Sequence, residues 1–259
     1  LTERTENRKD AAGILRSAAC AARVGNHILG IIAAVLVVVM LLYGGYSLWD
    51  MYRTYRGAFA DEELMKYKPA GEGKENPTLD ELMKINPDVC AWLTVDDTNI
   101  DYPVVQGDTN MEYINKDVYG EFALSGSIFL DCQNKRDFSD CYNLLYGHHM
   151  NNGAMFGDIV EFVDKKYFKK HRTGTLYLPE DTYKISFLAC VKADATDAAI
   201  FDPDAQSKET LSAFLSDIKD RSVQYEDIGM TAEDTLIGLS TCAVAETNGR
   251  VILFGRLEK

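Results

Sequence analysis

The alternation of apolar and polar positions divides the chain into three stretches. The first is residues 28–49, "ILGIIAAVLVVVMLLYGGYSLW", which hold no charged side chain. Twenty-two residues at a helical rise of about 1.5 Å cross the roughly 30 Å hydrocarbon layer of a bilayer. A buried core helix of this length would normally show a polar face, and this one does not. Tyr43, Tyr46 and Trp49 close it with the aromatic residues that suit a membrane–water interface. A cleaved secretory signal would have a shorter apolar run, of about 7–15 residues, and a small-x-small site after it. The following "YSLWDMYRTY" has no such site, so the pattern predicts an uncleaved transmembrane anchor.

The second stretch, residues 50–88, reads as a small helical section. "MYRTYRGAFADEELMKYK" is helix-like and strongly charged, and "PAGEGKENP" is a turn-rich linker. In "TLDELMKINPDV", Thr78 with Glu81 three residues on predicts a capping-box start, and Asn86-Pro87 predicts the stop. The third stretch, residues 89–259, alternates with the period of strands. Strands are predicted over 91–95, 101–105, 127–131, 143–146, 174–178, 183–193, 235–242 and 250–257. Two segments are helical in pattern: "AMFGDIVEFVD" and "SKETLSAFLSDIKDRS". In the latter, Leu211, Phe214, Leu215 and Ile218 fall on one face. Eight short strands with few helices predict a mainly β fold closed into a barrel, because closure removes exposed edges. The expected organisation is therefore a segment 1–27, an anchor 28–49, a helical section 50–88 and a barrel 89–259.

Charge sharpens this layout. The 259 residues carry a net charge of −13, which argues against a nucleic-acid surface, since phosphate binding needs a basic patch. There is no P-loop and no GxGxxG after a strand, so nucleotide binding has no support. Before residue 28 five basic residues face three acids; from residue 49 onward there are 22 basic and 37 acidic. The positive-inside rule then predicts a cytoplasmic N-terminus and an external barrel. Of six cysteines, Cys20 falls on the cytoplasmic side and five fall outside. An odd number leaves at least one external thiol unpaired. No CxxC or paired zinc-ligand spacing is present. A Cys132–Cys141 bridge is open to the chain, and nothing in the sequence requires it.

Three residue types could carry chemistry. In "TLIGLSTC" the residues Leu236, Gly238, Ser240 and Cys242 share one strand face. A free cysteine is most often a small buried filler. Here Arg250 opens the next strand after a seven-residue loop, which suits an antiparallel hairpin that sets it beside Cys242. There it would favour the thiolate and steady a developing oxyanion. The bland alternative is a solvated strand-end arginine; Arg256, at the far end of that strand, has no assigned role. Four histidines are present. His27 lies at the membrane boundary, and His171 in "KKYFKKHR" reads as a charged, solvated helix end. His148 and His149 remain, in "NLLYGHHMNNGAMFGDI", where Gly147 is expected to break the strand and leave His148 on a flexible turn. A thiol enzyme needs such an acid/base partner, but these residues alone fit an exposed turn pair equally well.

"LSTC" followed by an arginine at the next strand resembles the TLxTC…R signature of sortases. "YGHHM…MFGDI" is similar to the histidine segment of class B sortases, and residues 91–131, "AWLTVDDTNIDYPVVQGDTNMEYINKDVYGEFALSGSIFLD", to the early strands of that class. The resemblance spans residues 92–257. It implies an eight-stranded barrel of cysteine transpeptidases on the outer face of Gram-positive cells. It also implies Cys242 as nucleophile, His148 as general acid/base, and Arg250 as the contact to substrate and oxyanion. His149 occupies a variable neighbouring position. Ser240, Thr241 and Tyr146 match positions near the substrate, and Asn110 and Ile114 match a groove wall. Residues 199–222 correspond to a loop with a helix over the groove, in which "AAIFD" is too divergent to name contacts. The implied partners are secreted proteins with a C-terminal sorting signal (NPxTN-like or LPxTG-like), an amine of a peptidoglycan precursor or, less often, a pilin lysine, and the membrane. No metal or organic cofactor is implied. A thiol hydrolase and a non-catalytic peptide-binding module are the competing readings.

Overall fold

The computed structural model describes the backbone of residues 2–70, 75–242 and 249–259, and their side chains except at residues 2–15, 17, 18, 53–57 and 242. It divides into two compact units, Leu1–Arg53 and Thr54–Lys259. Helix α1, Thr2–Gly57, makes up the first and runs into the second. It is longer than the uncharged run because the charged flanks are themselves good helix formers. Its stretch Ala19–Tyr52 is long and apolar enough to cross a membrane, and its leucines and valines are exposed.

The second unit begins with a 3-10 turn, Leu64–Tyr67, and helix α2, Pro77–Ile85. The helix starts one residue before the expected capping box. Pro77 takes the first helical position, where its missing N–H costs nothing, so Asn76 becomes the cap residue. The Asn76 amide donates to Leu178 O instead of capping. Thr78 Oγ1 is buried without a partner among the described residues. The predicted stop at Asn86 holds.

Strands β1 (Val89–Val95), β2 (Asp101–Val105), β3 (Ile128–Leu130), β4 (Tyr142–His148), β5 (Thr173–Tyr177), β6 (Thr182–Asp194), β7 (Ser222–Tyr225), β8 (Thr235–Cys242) and β9 (Gly249–Glu258) follow. Their order is β5-β1-β2-β3-β4-β8-β9-β6, and a β5–β6 pairing closes these eight into a barrel. Strand β7 is an appendage on β6 that the sequence did not signal: four residues are too few for alternation to show. The pairs β2–β3 and β4–β8 are parallel, the others antiparallel. Between the strands lie a 3-10 turn Gly157–Val163 and helices α3 (Lys165–Lys170), α4 (Ala198–Phe201) and α5 (Lys208–Arg221). A true capping box starts α5, with Ser207 and Thr210 as its reciprocal pair.

Alternation sends one side of each strand into the barrel. Leu145, Ile237, Leu239, Leu253, Cys190 and Phe187 meet there. The outer face is covered twice. Helix α2 and the Leu64–Tyr67 turn lie over Trp92, Val105 and Phe129. Leu211, Phe214 and Ile218 of α5 lie over Tyr142, Leu144, Leu236 and Phe254. Tyr146 packs against both of these clusters, so it marks the seam between the two caps.

Two local expectations are corrected. Gly147 does not break β4; the strand runs through it to His148. A Cβ at Gly147 would stand 2.4 Å from Ile128 Cδ1 and 2.8 Å from Phe156, so glycine lets the strand lie close over the barrel interior. His171 is not solvated. It caps α3 and is only 4% exposed. Its ring stacks on Tyr167 at 4.1 Å, and Nδ1 lies 3.2 Å from Asp96 O. The turn from α3 into β5 folds the ring inward while the lysines of the helix face out.

Candidate active site

The site lies where β4, β8 and β9 end together. The parallel β4–β8 ladder runs from Tyr142↔Leu236 to His148↔Cys242, so the two expected catalytic positions are register partners. The Cys242 side chain lies outside the described residues, as do residues 243–248. The β8–β9 hairpin pairs Thr235 with Leu257 through Ser240 with Ile252. Continued two residues further, that register sets Arg250 opposite Cys242. Arg250 is half-buried and pairs with Ala193 of β6. Asp194 follows Ala193. The Thr196 hydroxyl and N–H hold its carboxyl below the usual range, and the Arg250 charge adds to this. An open cleft of ≈ 560 Å³ is lined here by His149, Asp194, Arg221, Thr241, Arg250 and Val251.

His148 is half-buried, and its Nε2 lies 2.8 Å from the carbonyl oxygen of Ile114. A carbonyl only accepts, so Nε2 carries a proton and Nδ1 is the nitrogen left for proton exchange. The holding carbonyl is itself fixed. Asn86 donates to Tyr113 Oη at 2.9 Å and to Val118 O at 2.7 Å, and Ser127 N–H donates to Tyr113 O. Gly126 has φ +60°, and a Cβ there would stand 2.3 Å from Ile114 O. Only glycine allows the chain to pass that close in that conformation. His149 differs from its neighbour: it bridges to Met155, and its Nδ1 is buried without a partner among the described residues.

The remaining expected residues fall into two groups. Asn110 and Tyr146 meet on Asp131. The Tyr146 hydroxyl donates to Asp131 Oδ2 at 2.8 Å and Asn110 Nδ2 donates to the same oxygen at 2.9 Å. Ser240 and Thr241 are buried, at 0% and 2% exposure. Thr241 Oγ1 accepts the Val251 N–H at 3.2 Å, tying β8 to β9. Two residues of the site were not singled out from sequence. Phe201, in the divergent "AAIFD", stacks on Tyr146 at 6.3 Å, while Phe129 stacks on it at 5.2 Å. The other is Asp131, whose only local signal is a carboxylate closing an apolar strand. Cys132 and Cys141 are both free thiols, and Cys141 Sγ donates to Gln206 O.

Comparison with protein families matches a sortase domain over residues 93–258. The Staphylococcus aureus protein sortase B is 28% identical over 235 residues, covering 88% of this chain and 96% of that protein. The crystal structure of a Streptococcus pyogenes class B sortase involved in pilus biogenesis is 47% identical, with a TM-score of 0.63. It covers 69% of this chain and 97% of its own. Sortase B of Bacillus anthracis superposes with a TM-score of 0.71 at 29% identity, covering 80% of this chain and 98% of its own.

Proposed function

The chain belongs to the sortase family as a class B sortase, hence a cysteine transpeptidase, and on that premise we propose its site, its substrates and its setting. Cys242 is the nucleophile, His148 the general acid/base and Arg250 the oxyanion partner. The observation that carries this is the His148↔Cys242 register pair at the end of β4 and β8. The substrate is a secreted protein with a C-terminal sorting motif, NPxTN-like or LPxTG-like. Asn110, Ile114 and Tyr146 line its groove, and the buried Ser240 and Thr241 support the groove from beneath.

The Cys242 thiolate attacks the carbonyl carbon of the motif threonine. Arg250 stabilises the negative oxygen of the tetrahedral intermediate. The C–N bond then breaks, and His148 gives the Nδ1 proton to the departing amine. A thioester remains on Cys242. An incoming amine attacks it, His148 takes the amine's proton, the new C–N bond forms and the thiolate leaves.

The acceptor is an amine of a lipid-linked peptidoglycan precursor. A pilin lysine is a second reading, favoured by the 47% identity to a class B sortase involved in pilus biogenesis. The apolar helix supports the reading of a single-pass plasma-membrane protein, with residues 1–27 cytoplasmic, 28–49 in the bilayer, and the helical section 50–88 and barrel 89–259 outside. The test uses the full chain in detergent micelles with sorting peptides, with and without an amine acceptor, read by mass spectrometry. Cleavage after threonine plus an amine adduct is expected, and Cys242→Ala abolishes both while leaving the thermal midpoint unchanged. Cleavage that yields only the free acid, whatever amine is present, would make the protein a thiol hydrolase. Full activity in Cys242→Ala would remove the nucleophile assignment.

A further inference from the structure

Asp131 follows β3 and is 1% exposed. Its Oδ2 receives both the Tyr146 hydroxyl and the Asn110 amide, at 2.8 and 2.9 Å. Its Oδ1 receives the Gln133 N–H at 2.9 Å. Its own backbone is pinned: Asp131 N–H donates to Leu144 O at 2.8 Å, and Gln106 Nε2 donates to Asp131 O at 2.8 Å. The carboxylate therefore sits at a fixed point, holding one residue from the 106–127 connection and one from β4.

A carboxylate only accepts, and this fixes the polarity of both partners. The single proton of Tyr146 is committed to Asp131, so toward any ligand its oxygen acts as an acceptor. The Asn110 amide cannot turn over, because its Oδ1 accepts the Cys132 N–H at 2.8 Å while Nδ2 faces the carboxylate. Toward a ligand, Asn110 therefore offers its second N–H. An extended peptide presents alternating N–H and C=O groups, and a fixed donor beside a fixed acceptor complements them. Resting on the groove reading above, we propose that Asp131 is the positioning residue of the sorting-peptide groove, setting Tyr146 as acceptor and Asn110 as donor. It touches neither the substrate nor the reacting atoms. The burial of a carboxylate at this seam thereby acquires a role in peptide affinity, separate from the thiol chemistry at the strand ends.

The test is steady-state cleavage of a sorting peptide by the full chain in detergent micelles. Asp131→Asn keeps the shape and replaces one acceptor oxygen by a donor, so Tyr146 and Asn110 lose their imposed polarity. The expected result is a rise in KM of about tenfold or more, the effect of losing a charge-assisted hydrogen bond, with kcat within about twofold and alkylation of Cys242 at its wild-type rate. A lowered thermal midpoint with KM and kcat unchanged would make Asp131 a purely structural residue and overturn the proposal. Equal losses in kcat and Cys242 alkylation would also overturn it. A wild-type protein that cleaves no sorting peptide would instead overturn the groove reading itself, a different result from cleavage with an indifferent Asp131. Should Asp131→Asn not fold, Tyr146→Phe and Asn110→Ala provide the check. Their effects on KM are expected to be less than multiplicative in the double variant, because both act through one carboxylate. Independent, multiplicative effects would overturn the proposal.

Discussion

Strands β4 and β8 have two faces, and the two were built for different purposes. The inward face is apolar at its centre: Leu145, Ile237 and Leu239 are fully buried in the barrel interior. The outward face changes character halfway. Tyr142, Leu144 and Leu236 lie under Phe214 and Leu211, whereas Tyr146 and His148 further along are half-buried. The same alternation thus produces a packed floor on one side and, on the other, a half-buried stretch beyond the residues that α5 covers. A barrel can carry a reactive site at its strand ends because the interior and the covered part of the outer face keep it folded. The outward end is then free to hold polar residues at positions the core does not need.

The largest effect that separates the two ends, after loss of Cys242, is loss of His148. General acid–base catalysis contributes about 10²–10⁴-fold, so His148→Ala is expected to lower kcat by that order while leaving the thermal midpoint near wild type. His149→Ala is expected to cost much less, because His149 lies one residue out of register with Cys242. Peptide-cleavage rates for the two variants check this. A more damaging His149→Ala would transfer the acid/base role to the histidine that lines the Arg250 cleft.

The covered end predicts the converse. Phe214 is 5% exposed and its ring lies 5.2 Å from Tyr142 and 6.1 Å from Phe254. Phe214→Ala is expected to cost about 3–5 kcal/mol of stability, read as a lower guanidinium midpoint. The kcat per folded molecule stays unchanged. A variant that remains fully folded but loses kcat would show that the α5 cover and the reactive end are coupled, and the division of the outer face would fail.

Local patterns in the sequence carried the barrel a long way. All eight closing strands coincide with predicted runs, because each lies in an apolar or alternating stretch bounded by polar and turn residues; even β3, three buried residues long, stands out between Ser127 and Asp131. The contacts that organise the site left no such trace. Asn110, Asp131 and Tyr146 are separated by 21 and 15 residues, and only the closure of β3 against β4 brings them to one carboxylate. Phe201 escaped notice because a stacking partner 55 positions away has no periodicity to reveal it. His171 was misplaced for the opposite reason. Four neighbouring lysines describe the outer face of α3, while the ring's own environment is set by Tyr167 and Asp96 across the turn. Gly147 read as a break because glycine is usually one, yet here it answers a close approach of Ile128 and Phe156.

The smallest expected effect tests the inward face through its thiols. Cys90 and Cys190 both belong to the barrel interior. Burial pushes Cys90 from 9.0 up to about 12, partly opposed by the Arg136 charge, with Asp88 adding to the rise. Burial likewise pushes Cys190 from 9.0 up to about 12, opposed by Lys192. Between about pH 9 and 12 the unfolded chain gives up these protons while the folded chain keeps them, so stability falls as pH rises. Below pH 9 both states hold the protons and the contribution is complete. The slope is at most about 1.4 kcal/mol per pH unit for each thiol. The guanidinium midpoint should therefore drop between pH 8 and pH 10.5, and drop less in the Cys90→Ala/Cys190→Ala variant, which starts lower but has a flatter profile. Iodoacetamide at pH 8 should modify Cys242 well before either interior thiol. If Cys90 or Cys190 reacted as fast as Cys242, the interior would be opening on the timescale of labelling. The two faces of these strands would then differ in composition without differing in protection.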